Sequence, residues 1–461
     1  MPVLPEHFLQ SLKDTPGFDL HSFLQAHEVP QQTPSVRINP AKQVDVSHFK
    51  SRADSVPWSS HGYYLTGRPS YTFDPLFHAG CYYVQEASSM FLEQALKQTV
   101  DLTQSIKVLD LCAAPGGKST HIQSLISADS ILVSNEVIKK RAGILKQNII
   151  KWGGNNVIVT NNDPQHFARL QGFFDVIVVD APCSGSGLFR KDTEAINEWS
   201  PENVQLCCGR QQRILADIIP SLSEGGILIY STCSYSIEEN EEIADWIAKE
   251  FDLQSLQIKT EQCWDIVETV SEKEHCFGYR FYPDKVKGEG FFLSCFRKIK
   301  PEPEKKYKSS KPGLLSTKEK AVIKPWIKNV DVDFINHGNT VFAFPSSQIQ
   351  LLTQVQSHLY LQYAGSTIGE IIRDKLIPDH AFALSTIIAQ NVSSINLNFE
   401  QAIEYLQKKD VEIEVKLTGW QLVRYKDFNL GWINALGNRI NNYYPKEMRI
   451  LKTHNTGFFE K

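Results

Sequence analysis

Between about Ile106 and Phe296, short apolar runs alternate with amphipathic stretches. The runs are Ile106-Lys107-Val108-Leu109-Asp110, Ile131-Leu132-Val133-Ser134-Asn135-Glu136, Asn156-Val157-Ile158-Val159-Thr160, Phe174-Asp175-Val176-Ile177-Val178-Val179 and Gly226-Ile227-Leu228-Ile229-Tyr230. Brief, continuous apolar runs separated by helical stretches predict strands buried on both faces of a mostly parallel sheet. Helices are predicted from about Gly117 and through Trp152. Arg280-Phe281-Tyr282 and Gly290-Phe291-Phe292-Leu293-Ser294-Cys295 predict an antiparallel hairpin closing that sheet. The fold class is therefore α/β, with helices on both faces.

Outside this block the pattern changes. The first hundred residues are mixed α and β, with Tyr63-Tyr64-Leu65 and Cys81-Tyr82-Tyr83-Val84 as candidate strands. Residues 301–313 are polar, basic and proline-bearing, the composition of a linker or exposed loop. Beyond them come short runs such as Thr340-Val341-Phe342-Ala343-Phe344, then helix-like and short β-like pieces. A chain of 461 residues exceeds one ordinary core. The expected divisions are 1–98, 99–298, 299–325 and 326–461, with no internal repeat.

Composition narrows the class. With 42% apolar and 22% charged residues, and no apolar run near the roughly 20 residues of a membrane helix, a soluble protein is expected. The start, Met1-Pro2-Val3-Leu4-Pro5-Glu6-His7, lacks the basic end and apolar stretch of a signal peptide, so the expected location is cytoplasmic. Nine cysteines without a Cys-x-x-Cys favour neither a disulfide framework nor a zinc site, and Cys207 and Cys208 read as helix packing. A net charge of −4 argues against a globally cationic nucleic-acid binder. Yet Arg297 to Lys328 holds eleven Lys or Arg against three Glu, a stretch that either tracks phosphates or keeps a linker solvated.

The chemistry gathers at strand ends, where open α/β sheets bind ligands. Asp110-Leu111-Cys112-Ala113-Ala114-Pro115-Gly116-Gly117-Lys118 joins the first strand to the first helix; its glycines let backbone approach a ligand, and it matches neither the dinucleotide nor the Walker spacing. Glu136, Asp163 and Asp180 follow the second, third and fourth strands, a trio that predicts a nucleoside ligand in one crevice. Cys183, in Asp180-Ala181-Pro182-Cys183-Ser184-Gly185, and Cys233, in Ser231-Thr232-Cys233-Ser234-Tyr235, follow the fourth and fifth. One such cysteine is most simply a buried structural thiol; two beside a ligand loop point to covalent chemistry on an electrophilic ring. Ser236 and Glu239 fit a capping box, which predicts a helix amino end just after Cys233 that would favour its thiolate.

These motifs, in this order, resemble the RNA (cytosine-5) methyltransferases of the Nol1/Nop2/Sun family over about residues 35 to 296. Tyr83-Val84-Gln85-Glu86-Ala87-Ser88-Ser89, Phe189-Arg190-Lys191-Asp192 and Gly288-Glu289-Gly290-Phe291-Phe292 support the likeness. Thr367-Ile368-Gly369-Glu370, Pro378-Asp379-His380-Ala381, Leu430-Gly431-Trp432 and Asn442-Tyr443-Tyr444-Pro445-Lys446-Glu447 resemble, more loosely, the bacterial branch that methylates small-subunit ribosomal RNA. The resemblance implies a Rossmann-like class I methyltransferase core with a mostly parallel seven-stranded sheet, an α+β RNA-binding amino-terminal domain and a PUA-like tail.

The resemblance also implies S-adenosylmethionine as methyl donor. Cys112, Ala113, Ala114, Pro115, Gly116, Gly117 and Lys118 would cradle its methionine part, Glu136 its ribose and Asp163 its adenine edge, with Arg141 and Asp180 completing the site. Cys233 would add to C6 of a cytosine, Cys183 would assist proton removal and release, and Asp180 would accept from the exocyclic amine. The expected partner is 16S ribosomal RNA, within helix 44 near the decoding centre, met by a monomer without metal. Lys118 reads alternatively as a surface residue, Lys191 as a phosphate contact, and Trp432, Tyr443 and Tyr444 as base-stacking or core aromatics. Where the family often has a histidine after Arg280-Phe281-Tyr282-Pro283, this chain has Asp284, and that histidine's role does not carry over. A transfer RNA methyltransferase, a ribose 2′-O-methyltransferase and a catalytically silent assembly factor remain open.

Overall fold

All five apolar runs form adjacent parallel strands in the computed structural model, which describes residues 4–28, 33–45, 47, 52–300, 307, 311–413, 417–437 and 439–452. Their order across the sheet is Val157–Thr160, Ile131–Asn135, Lys107–Asp110, Phe174–Asp180, Leu222–Thr232. The first strand in sequence thus lies at the centre, and the chain reverses direction across the sheet there, which opens a crevice at the carboxyl ends. Side chains alternate between faces. Val108, Leu132 and Val176 pack with Ile122, Leu145 and Ile149 of the helices Gly117–Leu125 and Lys139–Trp152. Leu109, Val133 and Ile177 pack with Leu215 and Ile247 of the helices Pro201–Ile218 and Glu241–Phe251.

The sheet is wider than the seven strands expected. The predicted hairpin is present: Phe277–Phe281 pairs antiparallel with Phe291–Lys298, which pairs in turn with Leu222–Thr232. Val267–Val270 and Leu253–Leu256 extend that side. At the opposite edge Leu361–Ala364, from far along the chain, pairs with Val157–Thr160 and brings the total to ten. Apolar alternation within the block gave no sign of a strand borrowed from outside it.

The expected strands near Tyr63 and Tyr82 are Gly62–Leu65 and Tyr82–Val84, part of a four-stranded sheet with Ser35–Ile38 and Arg52–Ser55. Buried Arg37 joins this sheet to the core, donating to Gln85 Oε1 at 2.8 Å and Thr120 Oγ1 at 2.6 Å, with its guanidinium over Trp152. The helices Glu6–Ser11 and Leu20–Glu28 instead insert Phe8 and Phe23 beside Tyr235, behind the Cys233 loop. Asp284 accepts from Ser22 at 2.8 Å, so the residue in the histidine's place fastens the second helix.

The carboxyl-terminal part holds two further four-stranded sheets, one around Thr340–Pro345 and one around Phe428–Ala435. Trp432 and Tyr444 are 1% exposed and belong to the core, which leaves Tyr443 as the exposed member of the three aromatics. Of the basic linker, 301–306 and 308–310 lie outside the described residues; Tyr307 donates to the Gln171 carbonyl and packs against Phe173. Among the described residues no helix is long and apolar enough to cross a membrane, and no three His, Cys, Asp or Glu side chains gather as metal ligands.

Candidate active site

The loop after the central strand is fixed by its backbone. Gly116, at φ +113°, turns the chain into the helix Gly117–Leu125, in a conformation that favours glycine. Ala113 N–H donates to the Asn135 carbonyl at 2.8 Å, Arg141 to the Ala114 carbonyl at 2.9 Å and Asn148 to the Pro115 carbonyl at 2.8 Å. Arg141 also pairs with buried Glu136 at 3.2 Å, whose other oxygen accepts from Ile138 N–H.

Three carboxylates act on this loop, and they are not quite the trio expected. Asp110, Glu136 and Asp180 together disfavour a negative charge on Cys112, whose thiol burial already pushes well up. Asp110 is fully buried and pushed up to about 7, by burial first and then by Asp180 and Glu136. Its Oδ2 accepts from Ser119 at 2.6 Å, while Oδ1 has no hydrogen-bond partner. Asp163 stands apart: it caps the 3-10 turn Pro164–Leu170 by accepting from Gln165 N–H at 3.1 Å, and its charge acts on Asp217. An acidic crevice with an unpartnered buried carboxylate oxygen fits a ligand that carries positive charge, as a sulfonium with an amino group does.

Lys118 is not a surface residue. Its side chain is 12% exposed, its ammonium lies 2.8 Å from Asp180 Oδ2 and above the Phe291 ring, and Asp180 Oδ1 accepts from Ser231 at 2.9 Å. This pair links the helix after the glycine loop to the strand end that leads to Cys183. Lys191 is exposed near the same end of the sheet.

The two thiols meet. Cys183 Sγ lies 3.1 Å from Cys233 Sγ. Ala181 N–H donates to the Ser231 carbonyl and Gly187 N–H to the Cys233 carbonyl, so the two loops continue the pairing of their strands. The Cys183 thiol is pushed well above its ordinary range, first by its hydrogen bond to Cys233, then by burial and by the charges of Cys233 and Glu239. Cys183 therefore holds its proton, which it can donate toward the Cys233 sulfur.

The predicted capping box is absent. The helix after Cys233 is Glu241–Phe251, capped at Asn240 without a side-chain bond, so no helix amino end sits directly behind the sulfur. Glu239 turns inward instead. It accepts from Ser184 N–H at 2.8 Å, from the hydroxyls of Ser184 and Ser234 at 2.5 Å each, and from Gln211 at 3.2 Å. Four donors from both cysteine loops and a neighbouring helix outcompete the backbone at Ser236, and one buried carboxylate spans the pair of thiols. Burial pushes Glu239 up, against these hydrogen bonds. Reading the sequence missed Glu239 and Asp110 as site residues; Asp110 could have been found as the strand-end acid opening the glycine loop, whereas Glu239 has the spacing of an ordinary cap.

Comparison with known proteins places the same segments. Residues 97–297 match the family described as 16S rRNA methyltransferase RsmB/F, 4–87 the N-terminal domain of 16S rRNA methyltransferase RsmF, and 392–450 the methyltransferase RsmF PUA domain. A ribosomal RNA small subunit methyltransferase F of Aliivibrio fischeri is 31% identical, over 96% of this chain and 97% of that protein. Its counterpart in Aeromonas salmonicida is 30% identical with the same coverage. Among solved structures, a methyltransferase homolog protein from Pyrococcus horikoshii is 30% identical with a TM-score of 0.51, covering 64% of this chain and all of that one. NSun6 from Pyrococcus horikoshii with SFG, 18% identical with a TM-score of 0.53 over 65% of this chain and 99% of that one, shares the fold.

Proposed function

The chain belongs to the RsmB/F family of 16S rRNA methyltransferases, and from that premise we propose that it methylates C5 of a cytosine in 16S ribosomal RNA, within helix 44 near the decoding centre. The observation that carries the chemistry is the pair of thiols 3.1 Å apart at the mouth of the acidic crevice. The Cys233 thiolate adds to C6 of the cytosine, which breaks the ring's aromaticity and makes C5 enamine-like. When bound, S-adenosylmethionine supplies the sulfonium methyl that C5 takes up. A base takes the C5 proton, the C5–C6 double bond reforms as the C6–sulfur bond breaks, and the S–H of Cys183 donates to the departing Cys233 sulfur. Asp180, oriented by Lys118 and Ser231, accepts from the exocyclic amine, a donor that uracil lacks. Residues 112–118, Glu136, Arg141, Asp110 and Asp180 hold the cofactor, and Asp163 reaches it only from the crevice edge.

We divide the molecule into an RNA-binding amino-terminal part (1–98), the methyltransferase domain (99–298), a basic linker (299–325) and a PUA-like RNA-binding region (326–461), working as a cytoplasmic monomer. The test is Cys183→Ala expressed in the source cell. Without its S–H donor the adduct is expected to persist, so the variant purifies with RNA attached through Cys233. Sequencing that RNA should return a helix 44 fragment; transfer RNA would replace the substrate, and absence of covalent RNA alongside normal wild-type methylation would overturn the assigned thiol roles.

Asp110 gives the cofactor a pH dependence. Its value near 7 means that below about pH 7 a cationic ligand must expel a proton to gain the carboxylate's attraction, whereas above that value the charge is already present. Affinity for S-adenosylmethionine, measured by calorimetry, is expected to fall by up to about tenfold per pH unit below about pH 7 and to level off above it. Asp110→Asn should flatten the curve; a wild-type curve that is already flat would remove Asp110 from the site.

A further inference from the structure

A cavity of about 740 Å³ opens between the amino-terminal sheet and the methyltransferase core. Four cations line it, Arg68, Arg190, Lys191 and Lys287, against two carboxylates, Glu86 and Glu289. Glu289 is the unusual member, because it is only 6% exposed and its Oε2 has no hydrogen-bond partner. Arg190 Nη1 pairs with that oxygen at 3.5 Å without a hydrogen bond, and Arg190 also reaches the Gly288 carbonyl. A buried carboxylate oxygen with an ion pair but no hydrogen bond keeps capacity to accept one.

The position of Glu289 is fixed from several sides. Its N–H donates to Glu86 Oε1 at 2.9 Å and its carbonyl accepts from Ser88 at 2.9 Å. A side chain at Gly288 would run into Ser88, and one at Gly290 into the Tyr235 ring, so these glycines allow a close approach nothing larger could make. Gly290 N–H donates to the Gly187 carbonyl, and Gly187 N–H donates to the Cys233 carbonyl. Two glycines, Gly290 and Gly187, and two backbone hydrogen bonds therefore connect Glu289 to the nucleophile. A single strand that places a base against Cys233 must lay its next nucleotide over neighbouring surface, and this cavity offers a cationic recess for it.

We infer that the cavity seats the nucleotide adjoining the target base, its phosphate on Arg190 and Lys191 and a hydrogen-bond donor of its sugar or base on Oε2 of Glu289. The inference rests on the RNA substrate proposed above and adds a second recognition point to it. Burial pushes the Glu289 carboxyl up to about 7 despite Arg190 and Lys191, with Glu86 adding to the rise, and a donor from the ligand would relieve that burial.

The test compares the full-length wild type with Glu289→Gln and Lys191→Gln for binding of a short, labelled, single-stranded RNA containing one cytosine. Glu289→Gln turns an amide N–H toward the nucleotide's donor and is expected to weaken binding about tenfold. Lys191→Gln, at an exposed position that does not threaten folding, should lower the slope of log affinity against log salt by about 0.7. If 2′-deoxy substitution beside the cytosine removes the difference between wild type and Glu289→Gln, the donor is the ribose hydroxyl; if changing the neighbouring base removes it, the donor is on the base. Both variants binding as the wild type does would overturn the site while leaving the RNA substrate standing. A wild type that binds no RNA but folds would overturn the RNA reading itself.

Discussion

Cys233→Ala is expected to reduce transfer of labelled methyl from S-adenosylmethionine to RNA by a factor on the order of 10³ or more, because it removes the only step that activates C5. No other described thiol is placed to substitute. Cys183 holds its proton, and Cys112 lies among three carboxylates that disfavour its thiolate. The substitution deletes one sulfur from a partly exposed position, so donor binding should survive, and calorimetry with S-adenosylmethionine separates lost chemistry from lost fold. Pairing it with Cys183→Ala sharpens the result: the adduct that Cys183→Ala accumulates should vanish in the double variant. Methyl transfer that persists in Cys233→Ala would remove the covalent route.

The second large effect belongs to Glu239→Gln. The amide keeps one acceptor oxygen, for Ser184 N–H and Gln211, but puts an N–H₂ where the hydroxyls of Ser184 and Ser234 both donate. At least one buried donor then loses its partner, at about 1–3 kcal/mol. The two cysteine loops are held at their spacing through this carboxylate, and a displacement on the order of 1 Å at reacting groups lowers turnover about 10²-fold. The expected result is a fall in kcat of that size with little change in KM for RNA, since Glu239 is fully buried and presents no surface to RNA. A merely structural role would lower melting temperature and the amount of folded enzyme while leaving kcat per folded molecule intact. A rise in KM with unchanged kcat would place Glu239 in binding instead.

How much of this was legible in the sequence depends on what kind of contact was at stake. Buried parallel strands write themselves as apolar runs, so the five core strands and the positions of Cys183, Cys233 and Glu136 at their ends could be read directly. Strand order could not, since it depends on which runs pair. Glu239 misled because a serine and a glutamate three apart satisfy the local rule for a cap, while the competing donors come from residues about 30 and 55 positions away. Asp163 misled in the opposite way: it stands at a strand end as expected, but its own turn claims the carboxylate. Lys118 was ambiguous because a lysine at the start of a helix is usually solvated, and only folding brings Asp180 beneath it.

The strand Leu361–Ala364 has a consequence for how the enzyme selects its target. It is stitched to the core at the strand end nearest the crevice, where Asn161 N–H donates to the Tyr360 carbonyl and Asn162 donates to the same carbonyl while accepting from Tyr360 N–H. The tail is thus bolted to the sheet instead of swinging on the linker that precedes it. Whatever the tail grips is held at a fixed distance and angle from Cys233, so under the function proposed above the protein acts as a caliper: the target cytosine is the one whose separation from a second feature of the folded RNA matches the gap between the jaws. Under that arrangement, inserting or deleting nucleotides between the two features would shift the methylated position or silence it, even with the bases around the cytosine unchanged.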